Sequence, residues 1–402
     1  EKNDNIYLSK YSGWYSVSDE AFYSEDEIVE KNGSKIAITS GSIVEWIEEE
    51  SYFFRLSKWQ DKLLDYYEKN SEFISPQSRK NEVVSFVKGG LKDLSISRQA
   101  FSWGIKVPSN PDHVIYVWLD ALSNYISALN YPDTNNDLFK KFWPASVHLI
   151  GKDILRFHAV YWPAFLMAAN IPLPNKIFGH GWILSGDEKM SKSKGNILDP
   201  LDIIETYGLD PLRYYLIKEV SFGNDGSISQ DKLEDCINSD LANNYGNLCQ
   251  RVTAFAEKNC SLKVPSNKML NDEDHKILNK FTESLPTLRN EIDKQNINFY
   301  INFIVNALFE ANKYFNDQEP WKKKNDKERL DAIVYTALEI IRKISFMLYP
   351  IIPGSIEKAL KIFNLKPVDV IFETIAVHNL LKTGDDINKI DILFKKIEKQ
   401  ND

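Results

Sequence analysis

The residues with the clearest chemical capacity stand together at 189–195, in the sequence Lys-Met-Ser-Lys-Ser-Lys-Gly. The three lysines of this segment supply mobile positive charges, and the two serines supply hydroxyl donors. The closing glycine lets a backbone approach a ligand closely. Such a loop is suited to hold phosphate groups. Taken alone, the same residues could also form a solvated lysine-rich turn, which is the usual fate of a charge run.

Strand and helix patterns alternate around this loop, across residues 98–220. Buried strands are predicted at 113–119, 146–151 and 175–182, and a helix at 153–170 lies between the last two. The alternation predicts a parallel α/β sheet that binds ligands at the carboxyl ends of its strands.

The flanking regions have different patterns. Residues 1–97 alternate with period two up to about Trp46 and then show helical spacing, which predicts a compact mixed module. From about residue 230 apolar residues recur at intervals of three and four, and Pro and Gly mark the ends of the segments. This part predicts a bundle of four or five helices.

Composition limits the class of protein. The 402 residues suffice for two to four domains, and a hydrophobic content of 43% favours a globular chain. The net charge of −8 gives no global case for nucleic-acid binding, so any RNA contact must rest on local patches. Three cysteines without a CxxC pair indicate a reduced, cytoplasmic compartment. No apolar run reaches membrane-spanning length.

Six segments in order resemble the class I methionyl-tRNA synthetase family. Residues 48–60, 116–129, 148–166 and the KMSKS sequence at 189–193 resemble its catalytic domain, and 242–251 and 314–324 resemble its anticodon-binding bundle. The resemblance implies the second half of a Rossmann-like α/β catalytic domain with a mixed connective insertion, followed by an α-helical anticodon-binding domain. It also implies ATP-dependent activation of methionine and its transfer to the 3′ end of tRNA.

An apolar pocket is expected for the methionine side chain, which is unbranched and soft and therefore suits an aromatic-lined slot. Trp118 and Tyr125 are seven residues apart, and Ile154 and His158 are four apart, so each pair would share one helical face. By spacing alone, core packing is the commoner explanation. The resemblance instead assigns a methionine-binding role to six residues: Trp118, Ala121, Tyr125, Asp153, Ile154 and His158. The family commonly has proline after that alanine, whereas Leu122 stands here.

The resemblance also implies an ATP site. Activation is an in-line displacement, so the protein must position two anions and stabilise charge on the triphosphate. Lys189, Ser191 and Lys192 are the expected catalytic residues. Expected ATP-binding residues are Lys152, His180, Gly181, Trp182, Lys189, Met190 and Lys192, with Mg²⁺ accompanying ATP as substrate. Arg98 is expected to support the active site, although a surface ion pair is the simpler explanation of that residue.

Two departures from the family's pattern lead to expectations. None of the six histidines stands in an HxGH context, so the chain is expected to be a fragment without the HIGH-containing half and therefore inactive by itself. The connective insertion has Ser16 and Asp19 where many relatives carry zinc-binding cysteines. Without thiolates, no structural zinc is expected, and packing should hold this knuckle together.

The resemblance implies that three residues read the anticodon CAU. Asn247 and Arg251 are four residues apart and would project side by side from one helix. Trp321 follows a proline and precedes three lysines, so it could stack a base while the lysines hold phosphate. A helix-start core anchor and a solvated basic face are the simpler explanations.

The expected organisation is a connective insertion at 1–97, the second half of the catalytic domain at 98–185, the KMSKS and stem-contact region at 186–235 and the anticodon-binding domain at 236–402. The resemblance implies tRNA(Met), including the initiator, together with methionine and ATP as partners, and a monomer is favoured. The alternatives are a catalytically silent tRNA-binding fragment and a class I synthetase for another apolar amino acid such as leucine.

Overall fold

The computed structural model describes residues 1–19, 21–23, 25–31, 33–99, 102–186, 188–190 and 198–398. The chain forms two units, residues 1–180 and residues 181–402. The strands of the first unit are short except for the antiparallel pair formed by β1 and β5: β1 (Ile6–Ser16), β2 (Ala21–Tyr23), β3 (Ile28–Lys31), β4 (Ser34–Ala37), β5 (Glu45–Phe54), β6 (Ile74–Ser75), β7 (Leu94–Ser95), β8 (Ser97–Arg98), β9 (Lys106–Val107), β10 (Asn110–Ile115), β11 (His148–Gly151) and β12 (Ile177–His180). Its helices are α1 (Gln60–Lys69), α2 (Gln77–Lys88), α3 (Trp118–Ser127), α4 (Asp137–Phe142) and α5 (Trp162–Ala168).

The amino-terminal module is an antiparallel sheet with strand order β2-β1-β5-β7. The predicted strands are present, but β5 continues past Trp46 to Phe54. Its last four residues, 51–54, are all buried. A strand that is buried on both faces loses the polar–apolar alternation by which a sequence reveals it.

The predicted parallel sheet is confirmed for the strands at 148–151 and 177–180. β11 and β12 pair in parallel, with Gly151 opposite His180, and β6 adds a third parallel strand. The predicted helix between them begins as a 3₁₀ turn at Lys152–Ile154, passes through a π-helical segment at Phe157–Tyr161 and continues as α5. The carboxyl ends of β11 and β12 therefore lie side by side, where this sheet class binds ligands.

The predicted strand at 113–119 is wrong in its length and its partners. β10 ends at Ile115 and lies in an antiparallel sheet with strand order β8-β10-β9, outside the parallel sheet. Val117 has a φ of 45°, which is rare for a β-branched residue and ends the extended backbone. Helix α3 then begins at Trp118, so Trp118 and Tyr125 share one helix.

The second unit has a small sheet and is mainly helical. Its strands are β13 (Ile183–Ser185), β14 (Glu188–Lys189) and β15 (Gly226–Ile228), with β13 in the centre. Its helices are α6 (Pro200–Tyr207), α7 (Leu209–Glu219), α8 (Gln230–Cys236), α9 (Asn247–Cys260), α10 (Asp272–Asp293), α11 (Ile297–Asp317), α12 (Lys327–Leu348) and α13 (Pro353–Leu360). Residues 230–398 thus contain six α-helices rather than the predicted four or five. A π-helical segment at Ile237–Gly246 joins α8 to α9.

Helix α12 forms the centre of the second unit. Every residue from Ala332 to Leu348 is buried, as expected for a helix that is apolar on nearly all sides and surrounded by others. Three charged residues in this stretch, Glu339, Arg342 and Lys343, form what we call the α12 ion cluster.

The α12 ion cluster binds the irregular segment 377–381 to helix α12. Arg342 Nε donates to Glu339 Oε2 over 2.7 Å, and the other Glu339 oxygen accepts the backbone N–H of Leu381 at 3.1 Å. Lys343 Nζ donates to the carbonyl oxygen of Val377 over 3.0 Å. These groups satisfy backbone polar atoms that would otherwise be buried without a partner.

The α12 ion cluster makes the stability of the protein depend on pH above neutrality. Burial, with the charge of Arg342 adding to it, lowers the pKa of Lys343 to about 8. Between pH 8 and the ordinary lysine pKa the unfolded chain keeps a proton that the folded protein has released, so this group's contribution to the free energy of unfolding rises with pH. We expect a rise of at most ~3 kcal/mol.

This prediction is tested by urea unfolding at pH 7 to 10 of the protein and of Lys343→Met. Buried thiols and tyrosines lower the stability of the protein over the same pH range, because burial raises the pKa of groups such as Cys236. The difference between the two proteins isolates the lysine. Identical pH profiles would show that Lys343 titrates normally.

Candidate functional site

Three of the residues predicted to line an apolar pocket meet around the imidazole of His158. Tyr125 Oη lies 2.9 Å from His158 Nε2, and His158 Nδ1 lies 3.0 Å from the carbonyl oxygen of Ile154. Because a carbonyl oxygen only accepts, Nδ1 carries the proton and Nε2 accepts the tyrosine hydroxyl. The two bonds fix both the tautomer and the orientation of the ring.

Trp118 completes the aromatic side of this group. Its ring stacks on Phe157 with centroids 3.6 Å apart and meets His158 edge-on at 6.4 Å. Ala121, one turn farther along α3, is exposed. The sequence did not single out Phe157, although its place directly before His158 puts it next to the predicted site. The structure therefore brings Trp118, Tyr125, Ile154 and His158 together as predicted.

His148 is a further member of the group that sequence reasoning missed. Its ring lies 4.2 Å from the Tyr125 ring, and its Nε2 accepts from Trp162 Nε1 at 3.3 Å. Burial, with His158 adding to it, lowers the pKa of His148 to about 4. Burial also lowers the pKa of His158, and the bond to Ile154 opposes that shift only in part. Both rings are neutral at pH 7, so this surface favours an uncharged side chain.

The carboxyl ends of β11 and β12 bring two more predicted residues close together. Lys152 and Asp153 follow β11 in its 3₁₀ turn, and His180 ends β12. A Cβ at Gly151 would overlap the Asp153 carboxylate and would lie 3.9 Å from the His180 ring. A side chain at position 151 would therefore require the Asp153 carboxylate to move.

Arg98 is buried on β8, which excludes the simple explanation of a surface ion pair. Its Nη1 donates to the Ser95 hydroxyl at 2.6 Å and to the Ser97 carbonyl at 2.8 Å. Its guanidinium lies 4.1 Å from the ring centre of Tyr116, two residues before Trp118. Arg98 therefore packs against the segment that leads into α3.

Gly181 and Trp182 belong to the second unit, where the chain passes very close to residues 224–225. A Cβ at Gly181 would overlap the backbone of Asn224, so only glycine fits. Asp225 accepts the Trp182 backbone N–H at 2.9 Å, and Trp182 in turn accepts the N–H of Gly226 at 2.9 Å. These bonds fix the backbone of the segment that the sequence predicts as part of the ATP site.

The lysine-rich loop is described only at its start. Lys189 ends β14, and Met190 is partly buried against the core of the second unit. Ser191 and Lys192, like the rest of 191–197, lie outside the described residues.

Two of the predicted RNA-reading residues, Arg251 and Trp321, both approach the ring of Phe315 on α11. Arg251 Nη2 donates to Asn316 Oδ1 at 2.5 Å, and its guanidinium lies 5.7 Å from the ring centre of Phe315. Phe315 meets Trp321 edge-on with centroids 6.5 Å apart. Trp321 is 41% exposed, so part of its ring is available to a ligand. Asn247 is the first residue of α9, which also contains Arg251, so both lie on one helix as the spacing predicted.

The amino-terminal knuckle is organised around the carboxylate of Asp19. The hydroxyls of Tyr23, Ser40 and Ser42 all donate to it, at 2.8 Å for Tyr23 and 2.7 Å for Ser42. The bonds from Ser40 and Ser42 lower the pKa of Asp19, with a further contribution from Tyr23. Ser16 Oγ accepts the Asp19 backbone N–H at 3.3 Å. Hydrogen bonds to Asp19 therefore hold this part of the chain, which the sequence had predicted to be held by packing.

Among the residues that the structure describes, no group of three or more His, Cys, Asp or Glu side chains is placed to hold a metal ion. None of the described helices has the length and apolarity to cross a membrane.

Comparison with protein families gives two adjoining matches. Residues 1–253 match the family described as tRNA synthetases class I (M), and residues 264–402 match the anticodon binding domain of methionyl tRNA ligase.

Individual relatives agree with these matches. The methionine–tRNA ligase of Brucella suis is 52% identical over 369 residues, which cover 91% of this chain and 71% of the relative. That of Rickettsia felis is 49% identical and covers 98% of this chain and 77% of the relative. Among solved structures, Mycobacterium tuberculosis methionyl-tRNA synthetase in complex with methionyl-adenylate is 44% identical. The structural alignment covers 97% of this chain and 77% of the chain in that structure, with a TM-score of 0.91.

Proposed function

The chain belongs to the class I methionyl-tRNA synthetases, and on that premise we propose how its own residues carry out the reaction. It is a methionine–tRNA ligase with a Rossmann-like catalytic domain followed by a helical anticodon-binding domain. The fold class predicted from the sequence is thereby confirmed.

The expectation of an inactive fragment without half of the catalytic domain finds no support in the comparisons. The alignments to the relatives extend over 91% and 98% of this chain, and the match to the catalytic family covers residues 1–253 of this chain.

The group around His158 is proposed to bind the methionine side chain. The observation that carries this proposal is the chain of bonds from Tyr125 through His158 to Ile154, because it holds a neutral ring next to the Trp118–Phe157 stack. A thioether makes favourable contacts with aromatic rings and needs no charged partner. Ala121 belongs to the same proposed site. A structural relative is known in complex with methionyl-adenylate, which supports a shared site.

The reaction proceeds in two displacements. A methionine carboxylate oxygen attacks the α-phosphorus of ATP, and pyrophosphate leaves as the mixed anhydride forms. A ribose hydroxyl at the 3′ end of tRNA then attacks the carbonyl carbon, and AMP leaves. Neither step requires a nucleophile from the protein, so positioning and charge stabilisation dominate catalysis.

We assign the charge stabilisation to the lysine-rich loop. Lys189, Ser191 and Lys192 are proposed to bind the triphosphate as charge builds up on it, with ATP entering as its Mg²⁺ complex. The remaining proposed ATP-binding residues are Lys152, His180, Gly181, Trp182 and Met190. Asp153 is proposed to receive the methionine ammonium group, since a carboxylate at a strand end is well placed for a cation. Arg98 supports the segment before α3.

Anticodon reading is proposed for Asn247, Arg251 and Trp321. The partly exposed Trp321 ring can stack on a base, and the amide and guanidinium groups can bond to base edges. We also propose that initiator tRNA(Met) is a substrate, that the protein acts as a monomer and that it works in the cytoplasm. The free state of Cys236, Cys249 and Cys260 supports a reducing compartment.

Replacing Tyr125 by phenylalanine tests the methionine site. The change keeps the ring but removes the hydroxyl that His158 Nε2 accepts, so the imidazole loses one of its two constraints and a buried acceptor is left unsatisfied. We expect methionine affinity to fall roughly 5- to 50-fold. Calorimetric titration with methionine measures the change, and Tyr66→Phe on α1 is the matched control. Unchanged affinity in a folded Tyr125→Phe variant would place methionine elsewhere.

A further inference from the structure

Trp321 lies in a short turn between helices α11 and α12, which backbone bonds from Lys322 and Lys323 close locally. It lies in a single 3₁₀ turn, Pro320–Lys322, that follows α11 after Gln318 and Glu319. Glu319 has a φ of 42°, in the left-handed region that non-glycine residues rarely adopt. The position of the tryptophan therefore depends on how the end of α11 and the start of α12 are held.

A buried carboxylate, Asp274, holds both of these ends. It lies in the first turn of α10 and is fully buried. It accepts the hydroxyl of Tyr314 on α11, and Arg329 on α12 binds it with both terminal nitrogens, Nη2 at 3.0 Å. The backbone N–H of Asn271 adds a bond at 2.9 Å.

Arg329 extends this contact directly to the turn. The nitrogen that binds Asp274 at 3.0 Å also donates to Gln318 Oε1 at 2.7 Å. Gln318 in turn donates through Nε2 to Glu273, the neighbour of Asp274 on α10. The segment from 318 to 329, which carries Trp321 and the three lysines that follow it directly, is thus bound at both ends to the first turn of α10.

The charges of this group are compensated within the protein. Burial disfavours the ionised form of Asp274, yet the bonds from Arg329, Tyr314 and Asn271 together hold its pKa below the usual value. The carboxylate stays ionised and the pair stays formed across the working pH range. Since Asp274 has no exposed surface, it cannot itself touch RNA.

We propose that Asp274 and Arg329 are positioning residues of the anticodon-reading site. Their ion pair sets the place of Trp321 through Tyr314 and Gln318, and so acts on RNA recognition without contacting RNA. This inference rests on the proposed reading of the anticodon by Trp321.

Binding of a labelled RNA hairpin that carries a CAU anticodon loop, measured by fluorescence anisotropy on the full chain, tests the proposal. Asp274→Asn should weaken binding roughly tenfold, because Arg329 loses its charged partner. Tyr314→Phe removes only one hydroxyl from a buried site and should weaken binding roughly threefold with the fold intact. The control Glu310→Gln breaks the Lys280–Glu310 pair, 2.6 Å, which also joins α10 to α11 but lies away from the turn, and binding should not change.

A double-mutant cycle separates positioning from a general loss of structure. In a Trp321→Ala background, Tyr314→Phe and Asp274→Asn should cause no further loss of RNA affinity, because the side chain that they position is gone. Equal losses in both backgrounds would overturn the proposal and leave the anticodon assignment standing. If Trp321→Ala itself leaves binding unchanged, the anticodon assignment fails and this proposal fails with it. Methionine affinity, measured in parallel, should stay constant in all variants.

Discussion

Replacing Glu339 by glutamine is expected to lower the free energy of unfolding by ~3–5 kcal/mol. The glutamine keeps the size of the side chain but removes the only negative charge of the α12 ion cluster. Arg342 and Lys343 would then be two buried positive charges beside one amide, in a helix that is buried on all sides. Removing one partner of a buried ion pair costs far more free energy than the intact pair contributes to stability.

Urea unfolding followed by far-UV circular dichroism measures this effect. The matched control is Glu257→Gln, which breaks the exposed Lys389–Glu257 pair of 2.6 Å and should cost less than ~1 kcal/mol. The loss in Glu339→Gln should shrink as pH rises toward about 8 and then stay constant, because without the Glu339 charge the pKa of Lys343 falls below the value of about 8 in the intact protein. If Glu339→Gln lowers the free energy of unfolding no more than the control does, water or a rearrangement compensates the charges of Arg342 and Lys343.

Replacing Trp321 by alanine is expected to weaken binding of tRNA with the anticodon CAU roughly 10- to 100-fold, since a base stacked on an aromatic ring contributes ~1–3 kcal/mol. The ring is held edge-on by Phe315, which the Arg251 guanidinium also approaches. Losing the ring therefore removes the stacking surface without emptying the core. Methionine binding should be unaffected, because the residues proposed for it lie in the first unit.

Filter binding with two tRNAs, one with the anticodon CAU and one with an altered anticodon, tests this prediction. A suitable control is Trp103→Ala, because Trp103 is 87% exposed and lies outside the proposed sites. The variant should also discriminate less between the two tRNAs. Full affinity and full discrimination in a folded Trp321→Ala protein would rule out Trp321 as an anticodon reader.

Local patterns in the sequence were sufficient where the relevant contact lies within one element. The four-residue spacing of Asn247 and Arg251 predicted their placement on one helix, and α9 contains both. The apolar runs at 146–151 and 175–182 predicted two parallel strands, and β11 and β12 are those strands. The family resemblance supplied the proposed roles, which periodicity alone could not separate from core packing.

The same patterns failed where the backbone changes direction without a Gly or Pro to signal it. The apolar run at 113–119 has no break in its composition, yet Val117 adopts a positive φ and a helix begins in the middle of the run. Burial of β5 on both faces likewise hid the last part of that strand.

The sequence by itself determined the order of the elements, the family and the side chains that could bind methionine, ATP and RNA. Only the tertiary structure decided which distant side chains support them. His148 lies against Tyr125, 23 residues away, and Asp274 binds Arg329, 55 residues away. Such pairs leave no periodic signal, because their partners are set by the packing of whole elements and not by the spacing of neighbours along the chain.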